Sequence, residues 1–452
     1  MSEQKFPDGK IRFEIESLGP IRDSVLDFKP FILFSGESNT GKSYAAMAVY
    51  YLFYMLDNEK ILEELTSKLF DIKKIEKDLK ADKEIELKLH KGMTDELQRL
   101  YNDNINRFMG YMLGDDSFSC KVKLKLDVPQ ISESTVSISL TKKNEEEYVL
   151  KTILRSPSYN WDNMAFLHLD SKKLDLDTKS NLHFFVRGLY ERLLFNARFL
   201  RCFILPPARG AFTGLTPSAI EKLYGIGMYK EFRKGLDSVW FSDFDMDDGL
   251  EEQKIFVNPL LEKLLNGKIM VERENVSYII TGSNKKIPLS AASSSVKELF
   301  PLYLLLNRVL INKFSVCIEE PEAHLHPDLQ RSAARLLSYI VNQGGFVQTT
   351  THSDFFVNQV NNLIKLHFIK DKEPDRLQAV LKETGIAEEF VLNPQNIASY
   401  YFEKGKKAKD AVRAERLEIF EKGMLMKSFE HTYDLSGSET RYLREALTGY
   451  GD

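Results

Sequence analysis

Residues 28–43 read Phe-Lys-Pro-Phe-Ile-Leu-Phe-Ser-Gly-Glu-Ser-Asn-Thr-Gly-Lys-Ser. The first part ends in a continuous apolar run, which suits a strand buried within a sheet. A glycine-bounded turn follows, and residues Tyr44 to Leu56 are almost wholly apolar, the composition of a buried helix. Between strand and helix lies Gly36-Glu37-Ser38-Asn39-Thr40-Gly41-Lys42-Ser43. It matches G-x-x-x-x-G-K-[ST] in the strand-to-helix context that this motif needs. The glycines let the loop turn tightly, so that successive backbone N–H groups converge on phosphate oxygens, and the helix start adds a favourable field. Lys42 can reach the β- and γ-phosphates of a nucleoside triphosphate, and the Ser43 hydroxyl can hold Mg²⁺. An α/β fold built around a phosphate loop is the expectation.

A second apolar strand ends in acids, in the stretch FSVCIEEPEAHLHP at 314–327. Adjacent side chains on a strand point to opposite sides, but the turn at its end can bring Glu319 and Glu320 to one cleft. One carboxylate can serve a Mg²⁺ shell while the other orients and deprotonates an attacking water. By position Glu319 takes the metal and Glu320 the water. Two acids before a proline are also compatible with a helix N-cap. A third stretch, VQTTTHSDFF at 347–356, is a β-type run ending at His352. An imidazole there can donate a hydrogen bond to a γ-phosphate at neutral pH, although a lone histidine is as a rule structural. His324, His326 and Cys317 lack spacing that would close on one zinc ion. Before the carboxylates comes Pro288-Leu289-Ser290-Ala291-Ala292-Ser293-Ser294-Ser295, small residues entering a helix whose N–H and hydroxyl groups could bind phosphate. Nearly 280 residues separate the phosphate loop from the carboxylates that must meet it, so the intervening segments are insertions in one head.

Outward from these motifs, IRFEIESL (11–18) alternates as a strand, and Gly19-Pro20 marks a turn. From 57 to 100, 22 of 44 residues are charged, and Ile61, Leu65, Leu69, Ile72, Ile75 and Leu79 form a narrow helical seam. Gly92 can end that helix, and Thr94 can cap a second one carrying Leu97, Leu100, Phe108 and Met112. Two readings stay open: a projecting hairpin arm, reaching roughly 75 Å if one helix ran from the buried segment to residue 91, or a helix pair packed on the body. Residues 117–155 alternate with period two, as strands of an antiparallel, half-exposed sheet. A helix is expected around Leu182–Phe199, a strand at 201–205, helices over 215–265, a hairpin at 269–281, and a strand ASYYFEK in the tail. The acidic run Asp243–Asp248 reads as a solvated face. These elements group as 1–56 (head, N-terminal part), 57–115 (helical hairpin), 116–285 (the rest of the head, rich in strands and helices), 286–370 (head with serine loop, carboxylates and His352) and 371–452 (a C-terminal partner or oligomer module).

Composition narrows the classes. The chain has 452 residues and a net charge of −4, with 43% hydrophobic and 28% charged residues, enough for a sizeable core. No run of about 18 apolar residues could span a membrane. Three cysteines, Cys120, Cys202 and Cys317, favour neither a disulfide framework nor a zinc knuckle and fit a reducing cytoplasm. A near-neutral balance leaves nucleic-acid contact to a local patch, for which the basic segment Lys404–Arg416 is a candidate.

Taken together, the phosphate loop, the serine loop, Glu-Glu-Pro-Glu-Ala-His-Leu-His-Pro and Thr-Thr-His-Ser resemble the ABC-type ATPase heads of the SMC and overcoming-lysogenization-defect (OLD) group. Among these, the stand-alone prokaryotic AAA-15/AAA-21 ATPases are the nearest resemblance. It covers about 1–56 and 285–370. It implies an ABC-type P-loop head that hydrolyses Mg-ATP in a site shared between two subunits, where Ser293, Ser294 and Ser295 of one close over the γ-phosphate held by the other. Serine stands where the family has glycine, and a glutamate precedes the base where an aspartate is usual. Leu-Pro-Pro-Ala-Arg-Gly (205–210) is similar to a Pro-x-Arg turn of this group, so Arg209 either faces the nucleotide or caps a surface turn. OLD proteins add a Toprim nuclease; residues 371–452 contain no Asp-x-Asp and are short for that fold. The chain thus resembles ATPase subunits of anti-phage systems, PARIS more than Septu, whose nuclease or toxin is a separate chain. The implied partners are a second copy, that effector and a phage trigger. A DNA-processing ATPase and a non-hydrolysing scaffold are the alternatives.

Overall fold

The apolar run before the phosphate loop is a central strand of a nine-stranded sheet. The computed structural model describes residues 10–80, 84–128, 131, 134–142, 147–155, 165–170, 174–197, 200–211, 226–240, 249–272, 275–283, 285–404, 411–424 and 427–448. In chain order, β1 (Ile11–Leu18) and β2 (Ile21–Asp27) form a hairpin, and β3 (Phe31–Gly36) leads through the phosphate loop into α1 (Lys42–Asp57). Strand β2 was not expected. Two of its buried positions are polar, Ser24 and Asp27, which hides the alternation. Both have work to do: Ser24 Oγ accepts from Ala414 N at 2.9 Å, and Asp27 pairs with Arg12 and Arg416 at 3.0 and 2.8 Å.

The charged stretch after α1 does not form two long helices. It divides into α2 (Glu59–Leu69), α3 (Ile72–Lys80), β4 (Ile85–Lys88) and α4 (Gly92–Leu113). Asn58 and Phe70 are extended and interrupt the helix, and the Asn58 side chain caps α2. Ile85 and Leu87 then alternate with Glu86 and Lys88, and this period-two pattern pairs with a strand further on. The second helix of the expected hairpin is packed on the body. Tyr51 of α1 stacks on Phe108 of α4 at 4.2 Å, and Tyr101 Oη donates to Ala48 O at 2.8 Å.

The alternating stretch 117–155 serves two sheets instead of one. Strand β5 (Cys120–Leu126) pairs with β1, whereas β6 (Thr135–Lys142) and β7 (Glu147–Arg155) join β4 and β8 (Ala165–Asp170) in a four-stranded sheet. Beyond α5 (Leu174–Phe195) come β9 (Arg201–Leu205), helices Gly227–Trp240 and Leu250–Leu265, and a small antiparallel sheet of β10 (Gly267–Glu272), β11 (Asn275–Ile280) and β12 (Lys286–Pro288). The acidic run 243–248 lies outside the described residues. Next are the helix Ser294–Arg308, β13 (Phe314–Glu319), the helix Pro327–Asn342, β14 (Phe346–Thr350) and the helix Asp354–Lys372.

Two strands of the tail join the main sheet. After the helix Pro374–Thr384, β15 (Ile397–Lys404) lies parallel to β3 and directly beside it, and β16 (Val412–Leu417) returns antiparallel to β15. Six consecutive positions of β15, from Ile397 to Phe402, are buried, so this strand can lie only in a sheet interior. The sheet order is β5-β1-β2-β16-β15-β3-β14-β13-β9. Strands β15, β3, β14, β13 and β9 all run parallel, and β5-β1-β2-β16 form a wing containing antiparallel pairs. Helix α1 packs across β3, β14, β13 and β9. Its Phe53 joins Phe28, Phe195 and Phe346, the Phe53–Phe195 pair stacking at 4.6 Å. No helix among the described residues is long and apolar enough to cross a membrane.

Candidate active site

In open α/β sheets, ligands bind beyond the carboxyl ends of parallel strands. Here the register aligns those ends: Gly36 lies opposite Phe402, Phe34 opposite Thr350, Thr350 opposite Glu319, and Ile318 opposite Leu205. The phosphate loop, the carboxylates, the loop of His352 and the turn of Arg209 therefore share one edge, although they come from distant parts of the chain.

Gly36 is required by geometry. Its φ is 127°, and a Cβ there would lie 2.6 Å from Phe402 O on β15. Helix α1 begins at Lys42, which is 5% exposed and folds back so that Nζ donates to Gly36 O at 3.1 Å and Glu37 O at 2.6 Å. Burial pulls its ammonium down to about 8, against the attraction of Glu320, Glu319, Glu322 and Glu37. Glu37, Ser38 and Asn39 are exposed, whereas Thr40 is buried and donates to Glu37 O at 2.7 Å. Glu37 also pairs with Lys404 at the end of β15, at 3.7 Å.

Ser43 Oγ donates to Glu319 Oε2. Glu319 is 3% exposed, and burial raises its carboxyl to about 7, the Ser43 hydroxyl opposing that shift. Its second oxygen, Oε1, has no hydrogen-bond partner among the described residues. A buried hydroxyl–carboxylate pair with one oxygen to spare suits a divalent cation, because Mg²⁺ takes oxygen ligands and would relieve the buried charge. Ser43 and Glu319 therefore fit the ion.

Glu320 follows in a left-handed conformation, φ 45°, with its N–H donating to Thr350 O at 3.0 Å. That backbone is rare for glutamate, a strain of order 1–3 kcal/mol of the kind found at functional sites. Glu320 Oε1 lies 4.0 Å from His352 Nε2, and both side chains are partly exposed. Burial, followed by the nearby Lys42 charge, lowers the His352 imidazole's proton affinity, so it is neutral at neutral pH. Cys317 is buried within β13, whereas His324 and His326 are exposed.

Two further residues of the site, Glu322 and Glu298, were not assigned from sequence, and a third, Arg209, was left between two readings. Glu322, the third acid of the motif, is buried. Its Oε1 accepts from Thr351 Oγ1 at 2.6 Å and His352 N at 2.9 Å, holding the histidine loop against the carboxylate turn. Burial raises the Glu322 carboxyl as well. Arg209 neither caps a surface turn nor is exposed; it is 1% exposed and bonded to Glu298 O at 2.9 Å and Glu319 O at 2.8 Å. Glu298 lies one turn inside the serine-loop helix. Ser293 and Ser294 are exposed, Ser295 is half-buried, and the hydroxyls of Ser293 and Ser295 lie 2.9 Å apart. A signal for Glu322 was present in Glu-Glu-Pro-Glu; for Glu298, inside an otherwise apolar helical run, there was none.

A family model described as an AAA ATPase domain matches residues 228–357, which include the serine loop, the carboxylates and His352 and exclude the phosphate loop. Comparison with curated proteins gives no match. Solved structures similar to the chain include an SMC head bound to the C-winged helix domain of ScpA (9% identity, TM-score 0.36, 94% of this chain and 99% of that one). They also include the SMC head domain from Thermotoga maritima (10%, 0.32, 90% and 98%). An SMC head with an extended coiled coil, bound to the C-terminal domain of ScpA from Pyrococcus furiosus, is a third (9%, 0.34, 94% and 98%). At such scores these likenesses carry no argument; the strand order describes an α/β fold, and the AAA ATPase domain match applies to residues 228–357.

Proposed function

We propose that the chain binds Mg-ATP at the carboxyl edge of β3, β13 and β14 and hydrolyses it. The observation that carries this reading is the Ser43–Glu319 contact, made across 276 residues and leaving one buried carboxylate oxygen to spare. The backbone N–H groups of Gly36–Ser43 cradle the phosphates, and Lys42 exchanges its two carbonyl partners for phosphate oxygens. Ser43 and Glu319 hold Mg²⁺, which supplies charge neutralisation when bound. Glu320 accepts a proton from the attacking water. His352, neutral, donates a hydrogen bond to the γ-phosphate. Ser293, Ser294 and Ser295 reach the γ-phosphate of a second copy, which makes the active form a dimer or a higher oligomer.

In the cell, an ATPase of this kind acts through a partner whose contacts differ between its nucleotide states. We assign it the role of a sensor in an anti-phage system, restraining or releasing a separate nuclease or toxin when a phage product appears. Of the basic segment, Lys404 and Arg416 pair with Glu37 and Asp27, and Arg413 is exposed; residues 405–410 lie outside the described residues. The test is purified wild type against Lys42→Ala. Mg²⁺-dependent ATP turnover should be present in the first and absent in the second, and equal rates refute the site. Binding without turnover in wild type favours a scaffold. For the cellular role, phage protection should need both this chain and an adjacent gene; protection by the chain alone refutes it.

A further inference from the structure

Arg209 is a large, charged and almost fully buried side chain, and it sits where three pieces of the site meet. Its Nη1 donates to Glu319 O at 2.8 Å and to Pro206 O at 3.2 Å. Its Nε donates to Glu298 O at 2.9 Å and lies 3.7 Å from Glu298 Oε2. Glu319 O belongs to the strand end that presents the metal-side carboxylate. Glu298 belongs to the helix Ser294–Arg308, whose first residues are the serine loop. Pro206 belongs to the turn after β9. One planar guanidinium thus ties three backbone segments together with directional bonds, a geometry that a single ammonium cannot reproduce. The neighbouring residue keeps the approach close: a Cβ on Gly210 would lie 2.9 Å from Glu298 N and 3.0 Å from Glu298 Oε1. Ala208, just before, takes a left-handed φ of 54°, so the turn is bent to deliver the arginine inward.

We propose that Arg209 is a positioning residue that clamps the serine-loop helix to the carboxyl end of β13, so that Ser293–Ser295 and Glu319 move as one body. It acts through its bonds to Glu298 O, Pro206 O and Glu319 O. The consequence is coupling: a change at the metal-side carboxylate is transmitted to the serine loop through this guanidinium, and so to the copy that the loop meets. The proposal rests on the reading of this edge as an ATP site.

The test compares wild type, Arg209→Lys and Gly210→Ala as full-length chains, with Lys42→Ala as control. Amide hydrogen exchange over 289–300 should quicken at least tenfold in Arg209→Lys, with exchange over the phosphate loop unchanged. ATP affinity should stay within about twofold of wild type, while kcat falls at least tenfold and KM is little altered. Gly210→Ala, which leaves the arginine in place but forces the turn off the helix, should move the same readouts in the same direction, and it serves if the lysine variant does not fold. Unchanged exchange over 289–300 in both variants overturns the proposal. A loss of ATP affinity like that of Lys42→Ala also overturns it, because the arginine would then be a nucleotide ligand. If wild type itself shows no turnover, the hydrolysis reading fails, and the exchange comparison still decides the role of Arg209.

Discussion

Replacing Glu319 by glutamine should stabilise the nucleotide-free protein at pH 8 and leave it unchanged near pH 4.5. Glu319 is 3% exposed, and its carboxyl is raised from 4.5 to about 7, burial being the main cause. A carboxyl raised in the folded state binds a proton there while the unfolded chain has already lost it. Its contribution to stability is therefore most favourable at low pH, falls as pH rises from 4.5 to 7, and is flat above that. Each unit corresponds to 1.36 kcal/mol, so the ionised group costs about 3 kcal/mol at pH 8. Glutamine keeps an oxygen to accept the Ser43 hydroxyl and carries no charge, so the variant escapes that cost. Urea unfolding of both proteins at several values from pH 4.5 to 8 measures the difference directly. It should grow from near zero to about 3 kcal/mol across the window, then stay constant. Adding Mg-ATP at pH 8 should stabilise the wild type and do far less for the variant, since the amide is a poor ligand for Mg²⁺. A difference that is flat with pH, or a variant less stable at pH 8, would refute the reasoning: Arg209 and Lys42 would then compensate the Glu319 charge in full.

Glu320→Gln should keep ATP bound while reducing turnover at least a hundredfold and accumulating a closed dimer, read by single-turnover kinetics and light scattering. Wild-type turnover in that variant would move the base elsewhere. Mixing Lys42→Ala with Ser294→Arg chains should restore activity that neither has alone, because one hybrid site combines an intact phosphate loop with an intact serine loop; failure with both chains folded would place the site within one chain. Glu322→Ala should cost about 1–3 kcal/mol by leaving Thr351 Oγ1 and His352 N without their acceptor, and should slow turnover, whereas Glu322→Gln keeps an acceptor oxygen and most of both. Equal defects in the two, by thermal unfolding and steady-state assay, would argue that the charge of Glu322 and not its hydrogen bonding matters.

Much of this protein was legible before any fold was known, and the legible part is local. Gly36–Ser43 works through its own backbone, so eight consecutive residues announce strand, loop and helix start together. The runs ending at Glu319 and before His352 likewise name themselves, because apolar continuity followed by a polar end is what a buried parallel strand looks like. What stayed hidden depends on contacts between residues far apart. Strand β2 was masked because two of its buried positions are polar and find their partners in β1 and at Ala414 and Arg416 of β16, out of sight of the local pattern. The charged segment after α1 looked like a long hairpin because helical spacing continues through Leu79, yet Ile85 and Leu87 obey the neighbouring strand β6. The tail read as a separate module, although β15 completes the sheet beside the phosphate loop and supplies the carbonyl that makes glycine obligatory at 36. Glu298 was silent for the same reason, and the roles of Arg209 and Glu322 stayed open although their motifs were visible. A buried charge is tolerable only where specific partners meet it, and those partners, the carbonyls of Glu298 and Glu319, the hydroxyl of Thr351 and the N–H of His352, come together only when the strand ends are brought into register. The sequence alone determined which chemistry the chain carries; the tertiary structure decided how the loops bearing it are held to one another, because that depends on pairings that no stretch of neighbouring residues contains.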